Sequence, residues 1–379
     1  MITTQASYTQ RIDADVHVRW QQDSDLLPCL PRGWHERWLH GAGHTQAGVR
    51  IQPKLYDPCD TNNGSPVRTV GAQAADDPAS LIRDWLEPHT LDAALLSVYD
   101  APILSTFGDI VYPMEVARAI NRWLADTWLE ADPRFHGSIV VATQDPEEAA
   151  AEVRRAAASH PRMVQVMLPG GTQFSYGHRR YYPIYKAAVD CGLAIAIHAG
   201  TEGVGTSHPP TPCGWPGTLA ELGVSRSTTF LGHLTSLVTE GAFVQFPELK
   251  IAAFETGIAW LPTYLWRFDK NYKGLRSECP WLTELPSAHV RKHFRFGSQG
   301  AEPAPDPAQF WRLLRSIGGD DMVMYSSNAP RWDAEAPDDS YVLTSCPSDK
   351  RERIWSGTAL EIYPRLSKAS AALSPTCSS

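Results

Sequence analysis

Residues 181–200 of this 379-residue chain have the sequence YYPIYKAAVDCGLAIAIHAG, an amphipathic stretch followed by a nearly continuous apolar run. The apolar run, residues 193–198, is typical of a parallel strand that is buried on both faces. The amphipathic stretch before it, residues 181–190, is typical of a helix that packs on such a sheet. Together they form one helix–strand unit, and this pattern predicts an α/β fold.

The same alternation recurs along the chain. Eight short apolar, β-branched runs are predicted strands: residues 11–18, 92–99, 137–143, 163–168, 193–198, 228–233, 249–255 and 322–326. Eight strand–helix units predict a single (β/α)8 TIM barrel, which commonly reaches this length. The alternative is an open doubly wound sheet, but no glycine-rich phosphate-binding motif follows any strand to support a nucleotide-binding version of it.

Three stretches fall outside the alternation. A long insertion, residues 19–91, separates the first two predicted strands, and a loop of this length is usually a lid, a binding loop or an oligomer contact. Residues 270–307 contain only a short predicted helix near 287–293. We therefore predict one barrel domain over residues 1–366 and a flexible, Ser/Ala-rich tail over 367–379.

Composition excludes several classes of protein. The formal net charge is −8, so no basic surface indicates binding to nucleic acid or to an anionic membrane. No apolar run approaches the roughly 20 residues that span a bilayer, and the first ten residues lack the apolar core of a secretory signal. The seven cysteines are scattered without a CxxC pair. We expect a cytoplasmic protein whose partner is a small-molecule substrate.

The first predicted strand carries three ionisable side chains. Asp13, Asp15 and His17 alternate with apolar residues, so a regular strand would place all three on one face. Such groups inside a barrel are costly unless they are paired or bound to a metal ion. A metal site is the favoured interpretation, and an ion-paired core is the alternative.

Other polar residues end later predicted strands, where barrel enzymes carry their chemistry. His198 ends the fifth predicted strand and could offer one ring nitrogen to a divalent ion. His233 ends the sixth and would suit a general acid or base beside the metal. Glu255 ends the seventh and could orient a histidine or a substrate. Alone, a strand-end histidine is more often a hydrogen-bonded structural residue, but together with the strand of Asp15 and His17 a metal ligand is the favoured interpretation of His198.

Longer motifs connect these residues to a known family. They include ADVH at residues 14–17, ARAINRWLADTWLEADPRFHGSIVVATQDPEEA at 117–149, LVTEGAFVQFPELKIAAFETGIAWLPTYLWRFD at 237–269 and MYSSNAPRWD at 324–333. From Ile12 to about Leu366 the chain resembles the amidohydrolase-related proteins grouped with aminocarboxymuconate-semialdehyde decarboxylase and resorcylate decarboxylase. The resemblance implies that Asp15, His17 and His198 bind a metal ion and that His233 is catalytic.

One position departs from the family pattern. Asn328 stands where the family places an aspartate that binds the metal and transfers a proton, and a carboxamide accepts no proton at neutral pH. Asn328 is thus expected as a neutral ligand in the catalytic site. Three hypotheses follow. An acid (Asp13, Asp333 or Glu255) takes over the acid–base role, Lewis-acid polarisation suffices with His233 shuttling the proton, or the chain has become a metal-free pseudoenzyme or binding protein.

The resemblance also orders the candidate reactions. Non-oxidative decarboxylation of a small, aromatic carboxylate is expected first, and hydrolysis of an amide or ester, or its dehydrative reverse that closes a heterocycle, is the alternative. The ligand types suit one divalent ion, with zinc expected first and manganese, copper, iron or cobalt as alternatives. By analogy with its relatives the chain is expected to form a homodimer.

Overall fold

The computed structural model describes residues 10–40, 77–99 and 101–367. These residues form a parallel sheet of eight strands in sequence order. The strands are β1 Ile12–Val18, β2 Ala93–Val98, β3 Phe135–Val140, β4 Met163–Pro169, β5 Ala194–His198, β6 Ile251–Phe254, β7 Phe294–Gly297 and β8 Val323–Met324. All residues of these strands are buried except His136, as expected for parallel strands covered on both faces.

The sheet closes between β1 and the segment that follows β8. A parallel bridge pairs Val16 with Ala329. The amide of Ala14 donates to the carbonyl of Tyr325 over 3.0 Å, and the amide of Asn328 donates to the carbonyl of Asp15 over 3.0 Å. The predicted TIM barrel is confirmed.

Helices cover the outside of the barrel. The α-helices of the described residues are α1 His35–His40, α2 Pro78–Leu81, α3 Val111–Trp123, α4 Pro146–Ser159, α5 Tyr182–Asp190, α6 Leu219–Thr239, α7 Ala242–Gln245, α8 Leu261–Gly274, α9 Pro286–His293, α10 Pro307–Arg315, α11 Tyr341–Ser345 and α12 Thr358–Ile362. Helix α4 shows why such segments begin where they do. The Asp145 side chain accepts a hydrogen bond from the amide of Glu148, and Pro146 occupies the first turn, where its missing amide costs nothing.

The sixth predicted strand is wrong. Residues 228–233 lie inside helix α6. This helix begins after Thr218, and the side chain of Thr218 accepts a hydrogen bond from the amide of Glu221. The buried residues of the second half of α6 recur at helical spacing: Phe230, His233, Leu234, Leu237 and Val238. The short window of residues 228–233 hid this period, because a six-residue apolar run fits a strand or a helix equally well.

Strand β7, which was not predicted, completes the eight. It follows α9, which confirms the short helix predicted near residues 287–293. β7 is only four residues long and contains Arg295, which is buried and paired with Glu361. The predicted seventh strand is consequently β6, and Glu255 follows the sixth strand of the barrel.

The side chains of β1 do not alternate as predicted. Its register against β2 shifts between Asp13 and Val16. Such an irregularity interrupts the alternation of side chains, so Asp13 and the residues after the shift need not share a face. Asp13 accepts a hydrogen bond from the indole of Trp85 over 3.0 Å, and Trp85 packs in the cluster between sheet and helices. Ile12, by contrast, packs in the cluster that fills the barrel. The prediction that Asp13 shares a face with Asp15 and His17 is therefore wrong.

Parts of two predicted segments lie outside the described residues. The insertion predicted over 19–91 includes α1 and α2, but its residues 41–76 are not described, and the predicted tail lies outside from residue 368 onward. The domain boundaries stay predictions. In the described part of the chain, no helix combines the length and apolarity needed to cross a membrane.

Candidate metal centre

Strands β1 and β5 bring three predicted ligands together inside the barrel. Asp15, His17 and His198 are all buried, and their ligand atoms lie within 4.8 Å of one another. The Oδ2 atom of Asp15 lies 3.2 Å from Nε2 of His198 and 3.6 Å from Nε2 of His17. One carboxylate and two imidazoles in this arrangement form a set of ligands for one divalent ion.

The hydrogen bonding of these side chains fits a metal ion. Asp15 Oδ1 and both ring nitrogens of His17 are buried without a hydrogen-bond partner, which is costly unless another group binds them. Nδ1 of His198 lies 2.7 Å from the carbonyl oxygen of Ala199 and donates to it. That bond leaves Nε2 of His198 as the atom able to bind a metal.

The charges of the ligands reinforce one another. Burial alone would raise the pKa of Asp15, but the imidazoles of His17 and His198 lower it below its usual value. Burial alone would lower the pKa of His198, but the carboxylates of Asp15 and Glu255 outweigh it and raise the pKa to about 9. The pocket therefore favours a positive charge beside Asp15, which a bound cation would supply in place of the proton.

Asn328 lies beside this centre and is fully buried. Its Nδ2 atom donates to a carboxylate oxygen of Glu255 and, over 3.1 Å, to Oδ1 of Asp333. Its Oδ1 atom is buried without a partner. The backbone of Asn328 has φ +61°, a left-handed conformation that asparagine tolerates better than most residues. Its predicted role as a metal ligand stays a prediction.

Glu255 is an ionised residue within a charged network. Its backbone φ is +55°, a conformation that costs free energy for a side chain of this type and is often found at functional sites. Its Oε2 atom accepts from Nη1 of Arg226 over 2.8 Å, and its Oε1 atom lies 3.5 Å from Nε of Arg331. Burial alone would raise its pKa, but the two arginines lower the pKa to about 2. Glu255 consequently has no proton to donate at neutral pH.

His233 occupies a different place from the one predicted. It lies on α6 and not at a strand end. Its Nε2 atom donates to the carbonyl of Gly170 over 2.8 Å, and its Nδ1 atom accepts from the amide of Tyr176 over 3.2 Å. Burial lowers its pKa to about 4, so it is neutral at physiological pH. Both ring nitrogens bind main chain, and the catalytic role of His233 stays a prediction.

A cavity of about 830 Å³ adjoins Glu255. Its walls come from the first half of α6 and from the loops after β6, β7 and β8, and they include Arg226, Glu255, Arg331, Trp332 and Asp333. This volume accommodates a small organic molecule. Arg226 was not among the predicted site residues, because it contacts Glu255 only through the packing of α6 and does not lie at a strand end.

The family pattern for Amidohydrolase matches residues 12–365, nearly the whole of the described barrel. The chain belongs to the amidohydrolase family. With its centre of Asp15, His17 and His198, this amidohydrolase is a metal-dependent enzyme.

Characterised relatives resemble this amidohydrolase at low identity. The gamma-resorcylate decarboxylase of Polaromonas sp. (strain JS666 / ATCC BAA-500) is 22% identical over 289 residues, which cover 73% of this chain and 85% of the relative. The 5-carboxyvanillate decarboxylase of Novosphingobium aromaticivorans DSM 12444, solved with manganese and 4-hydroxy-3-methoxy-5-nitrobenzoic acid, has a TM-score of 0.67 at 20% identity and covers 94% of this chain and 96% of its own. A dihydroxybenzoic acid decarboxylase from Polaromonas sp. JS666, solved with manganese and 2-nitroresorcinol, has a TM-score of 0.62 at 17% identity and covers 96% of this chain and 99% of its own. The two solved structures share the fold of this chain.

Proposed function

We propose that this enzyme catalyses the non-oxidative decarboxylation of a small aromatic carboxylate. The observation that carries the proposal is the buried group of Asp15, His17 and His198, in which Asp15 Oδ1 and both ring nitrogens of His17 have no hydrogen-bond partner. The choice of reaction is supported by the relatives, which are decarboxylases of resorcylate, carboxyvanillate and dihydroxybenzoic acid. The adjoining cavity has room for a substrate of that size.

Asp15, His17 and His198 would hold the ion, and Asn328 would add its carboxamide oxygen. When bound, the ion supplies Lewis-acid polarisation of a carboxylate or phenolate oxygen. We propose manganese as the first metal to test, ahead of the zinc that was expected first, because two related structures contain manganese. Carboxylate and carbonyl oxygens also suit manganese, although the two imidazoles suit zinc as well.

Side chains of the cavity would position the substrate. Trp332, which is partly exposed in the cavity wall, offers a flat surface for an aromatic ring. Decarboxylation replaces the carboxylate with a proton, and CO2 leaves. Asn328 has no dissociable proton at neutral pH, and Glu255 is ionised. We infer that solvent in the cavity supplies this proton, while Glu255 orients Asn328.

The experiment combines metal analysis with a substrate screen. Protein purified without added metal is analysed for bound metal, loaded with manganese or zinc, and incubated with γ-resorcylate and 5-carboxyvanillate, the acids named in its relatives. We expect about one ion per chain and release of CO2 with one of these acids or a close analogue. His198→Ala should lose both, whereas the exposed-site control Asp338→Asn should retain both. Stoichiometric metal without CO2 release across a broad panel of aromatic acids would exclude decarboxylation.

One observation favours a second candidate reaction. Asn328 cannot accept a proton, and the two arginines that lower the pKa of Glu255 make its carboxylate a weak base. The centre is therefore poor in groups that would activate water for hydrolysis. The dehydrative closure of an ortho-substituted aromatic amide into a heterocycle depends more on carbonyl polarisation. Incubation with 2-hydroxyanilides, followed by mass spectrometry for the loss of one water, tests this reaction. Failure of the wild type to bind any divalent ion would leave the binding-protein hypothesis.

We also propose that the enzyme is a homodimer, by analogy with its relatives, and that it is cytoplasmic, as its composition predicts. Light scattering of the purified chain tests the oligomeric state, and cell fractionation tests the location.

A further inference from the structure

The amide nitrogen of Asn328 donates to two carboxylates, those of Glu255 and Asp333. The amide oxygen has no hydrogen-bond partner. We propose that Glu255 and Asp333 are positioning residues, which hold the Asn328 amide so that its oxygen is offered to the metal centre. The inference rests on the metal site of the proposed function. In this proposal the carboxamide oxygen of Asn328 is a metal ligand, and the hydrogen bonds around the amide serve to orient it.

The hydrogen bonds allow only one orientation of the amide. Nδ2 of Asn328 donates to Glu255 and, over 3.1 Å, to Oδ1 of Asp333, so both of its hydrogens have acceptors. Rotation by 180° would place Oδ1 against two carboxylates, where no hydrogen is available. Oδ1 therefore stays on the side away from them, buried and without a partner.

The main chain of Asn328 is fixed as well. Its amide donates to the carbonyl of Asp15 over 3.0 Å, and its carbonyl accepts from the amide of Arg331 over 3.0 Å. The first of these bonds anchors Asn328 directly to the strand that carries the ligands Asp15 and His17. The side chain remains free to rotate, and its hydrogen bonds to the two carboxylates fix it.

Two arginines hold the carboxylates in place. Arg226 Nη1 lies 2.8 Å from Glu255 Oε2. Arg331 Nε lies 3.5 Å from Glu255 Oε1 and 3.4 Å from Asp333 Oδ1. The negative charges of the two positioning residues are thus balanced before any ion binds.

An aspartate at position 328 would not fit this network. It would offer no hydrogen to Glu255 or Asp333 and would add a third carboxylate beside them. The surroundings of Asn328 are therefore built for an amide, and the substitution Asn328→Asp should lower the stability of the metal-free protein.

A matched pair of variants separates hydrogen bonding from charge. Asp333→Asn and Asp333→Leu both remove one negative charge from a side chain of similar size, but only asparagine keeps an oxygen that accepts from Asn328. Manganese affinity is measured from the electron paramagnetic resonance signal of free Mn²⁺, without any substrate. We expect Asp333→Leu to bind manganese about ten-fold more weakly than Asp333→Asn, the effect of one lost hydrogen bond of ~1.4 kcal/mol. The control Asp338→Asn, in the same loop and exposed, should match the wild type.

The manganese measurements test the proposed metal site and the positioning role separately. A wild type that binds no manganese or zinc would refute the proposed function itself. A wild type that binds manganese, with equal affinity in the two Asp333 variants, would overturn only the positioning role.

If Asp333→Leu does not fold, a double variant that exchanges the two side chains tests the same contact. In Asn328→Asp/Asp333→Asn the donor and acceptor exchange places, so the double variant should recover unfolding stability that Asn328→Asp loses. Strictly additive losses of stability would overturn the proposed contact.

Discussion

The carboxylate of Asp15 on β1 faces the imidazole of His198 on β5, with Oδ2 and Nε2 3.2 Å apart across the barrel interior. This pair joins strands that are not neighbours in the sheet. Asp15 is also the anionic member of the three-ligand group, so the attraction of the centre for a cation depends on it more than on either histidine.

Asp15→Asn should therefore weaken manganese binding about 100-fold or more, since changes outside the ligand set alone commonly cost 10–100-fold in metal affinity. Competition with a metallochromic indicator measures the change. Glu36→Gln, an exposed acid outside the barrel, serves as the control for a lost charge. Unchanged affinity in Asp15→Asn would show that the ion binds elsewhere.

His233→Ala should reduce stability, because the imidazole joins α6 to the loop after β4 through Gly170 and Tyr176. Loss of two buried hydrogen bonds and of the ring volume should lower the free energy of unfolding by roughly 2–4 kcal/mol. Urea unfolding measures it, and His40→Ala, at an exposed histidine on α1, is the control. A folded, equally stable variant with lost turnover would instead support the predicted catalytic role of His233.

Two glycines near the same contact should respond in opposite directions to alanine. A Cβ atom on Gly177 would lie 2.1 Å from the main-chain oxygen of Ser236, whereas one on Gly232, within α6, would have nothing within 4 Å. Gly177→Ala should separate the loop from α6 and lower the melting temperature. Gly232→Ala should raise stability by about 0.5–1 kcal/mol through helix propensity. Thermal unfolding of both variants tests the pair, and stabilisation by Gly177→Ala would contradict the packing described.

Acid should destabilise the fold in part through His293. Its Nδ1 atom lies 2.7 Å from the carbonyl of Leu249, and its ring stacks on Phe243 at 4.2 Å. Burial lowers its pKa from 6.5 to about 4. Between these pH values the unfolded chain binds a proton that the folded chain does not, so unfolding free energy falls as pH is lowered through this window.

The variant His293→Gln should show a shallower loss of stability between pH 6.5 and pH 4 than the wild type. Urea unfolding at several pH values measures both slopes. Identical slopes would mean that His293 does not contribute to the acid sensitivity.

The barrel and its three ligands were predictable because they depend on local pattern and on topology. Continuous apolar runs indicate parallel strands, and the carboxyl ends of such strands meet at one rim. These two facts place His198 near the first strand, but the assignment of Asp15, His17 and His198 as one set of ligands also needed the family resemblance. The register shift in β1, which places Asp13 beside Trp85, was not predictable, because the sequence of this strand alternates regularly between polar and apolar residues.

The remaining parts of the site depend on contacts that a sequence does not show. The run at 228–233 is too short to reveal its period, and β7 is interrupted by a charged Arg295 whose partner, Glu361, lies 66 positions away. The network around Asn328 likewise depends on Arg226, which α6 brings to Glu255. Family resemblance located Asn328 as a departure, but only its hydrogen bonds show which atom of the amide is free.

The seam that closes the barrel has a consequence for biosynthesis. The amide of Ser327 donates to the carboxylate of Asp13 from 314 positions away, beside the bonds that join Asn328 to Asp15. A nascent chain that contains only the first seven strands lacks the segment that pairs with β1, so its sheet cannot close. The barrel therefore cannot close around Asp15 and His17 until the segment that follows β8 has been translated.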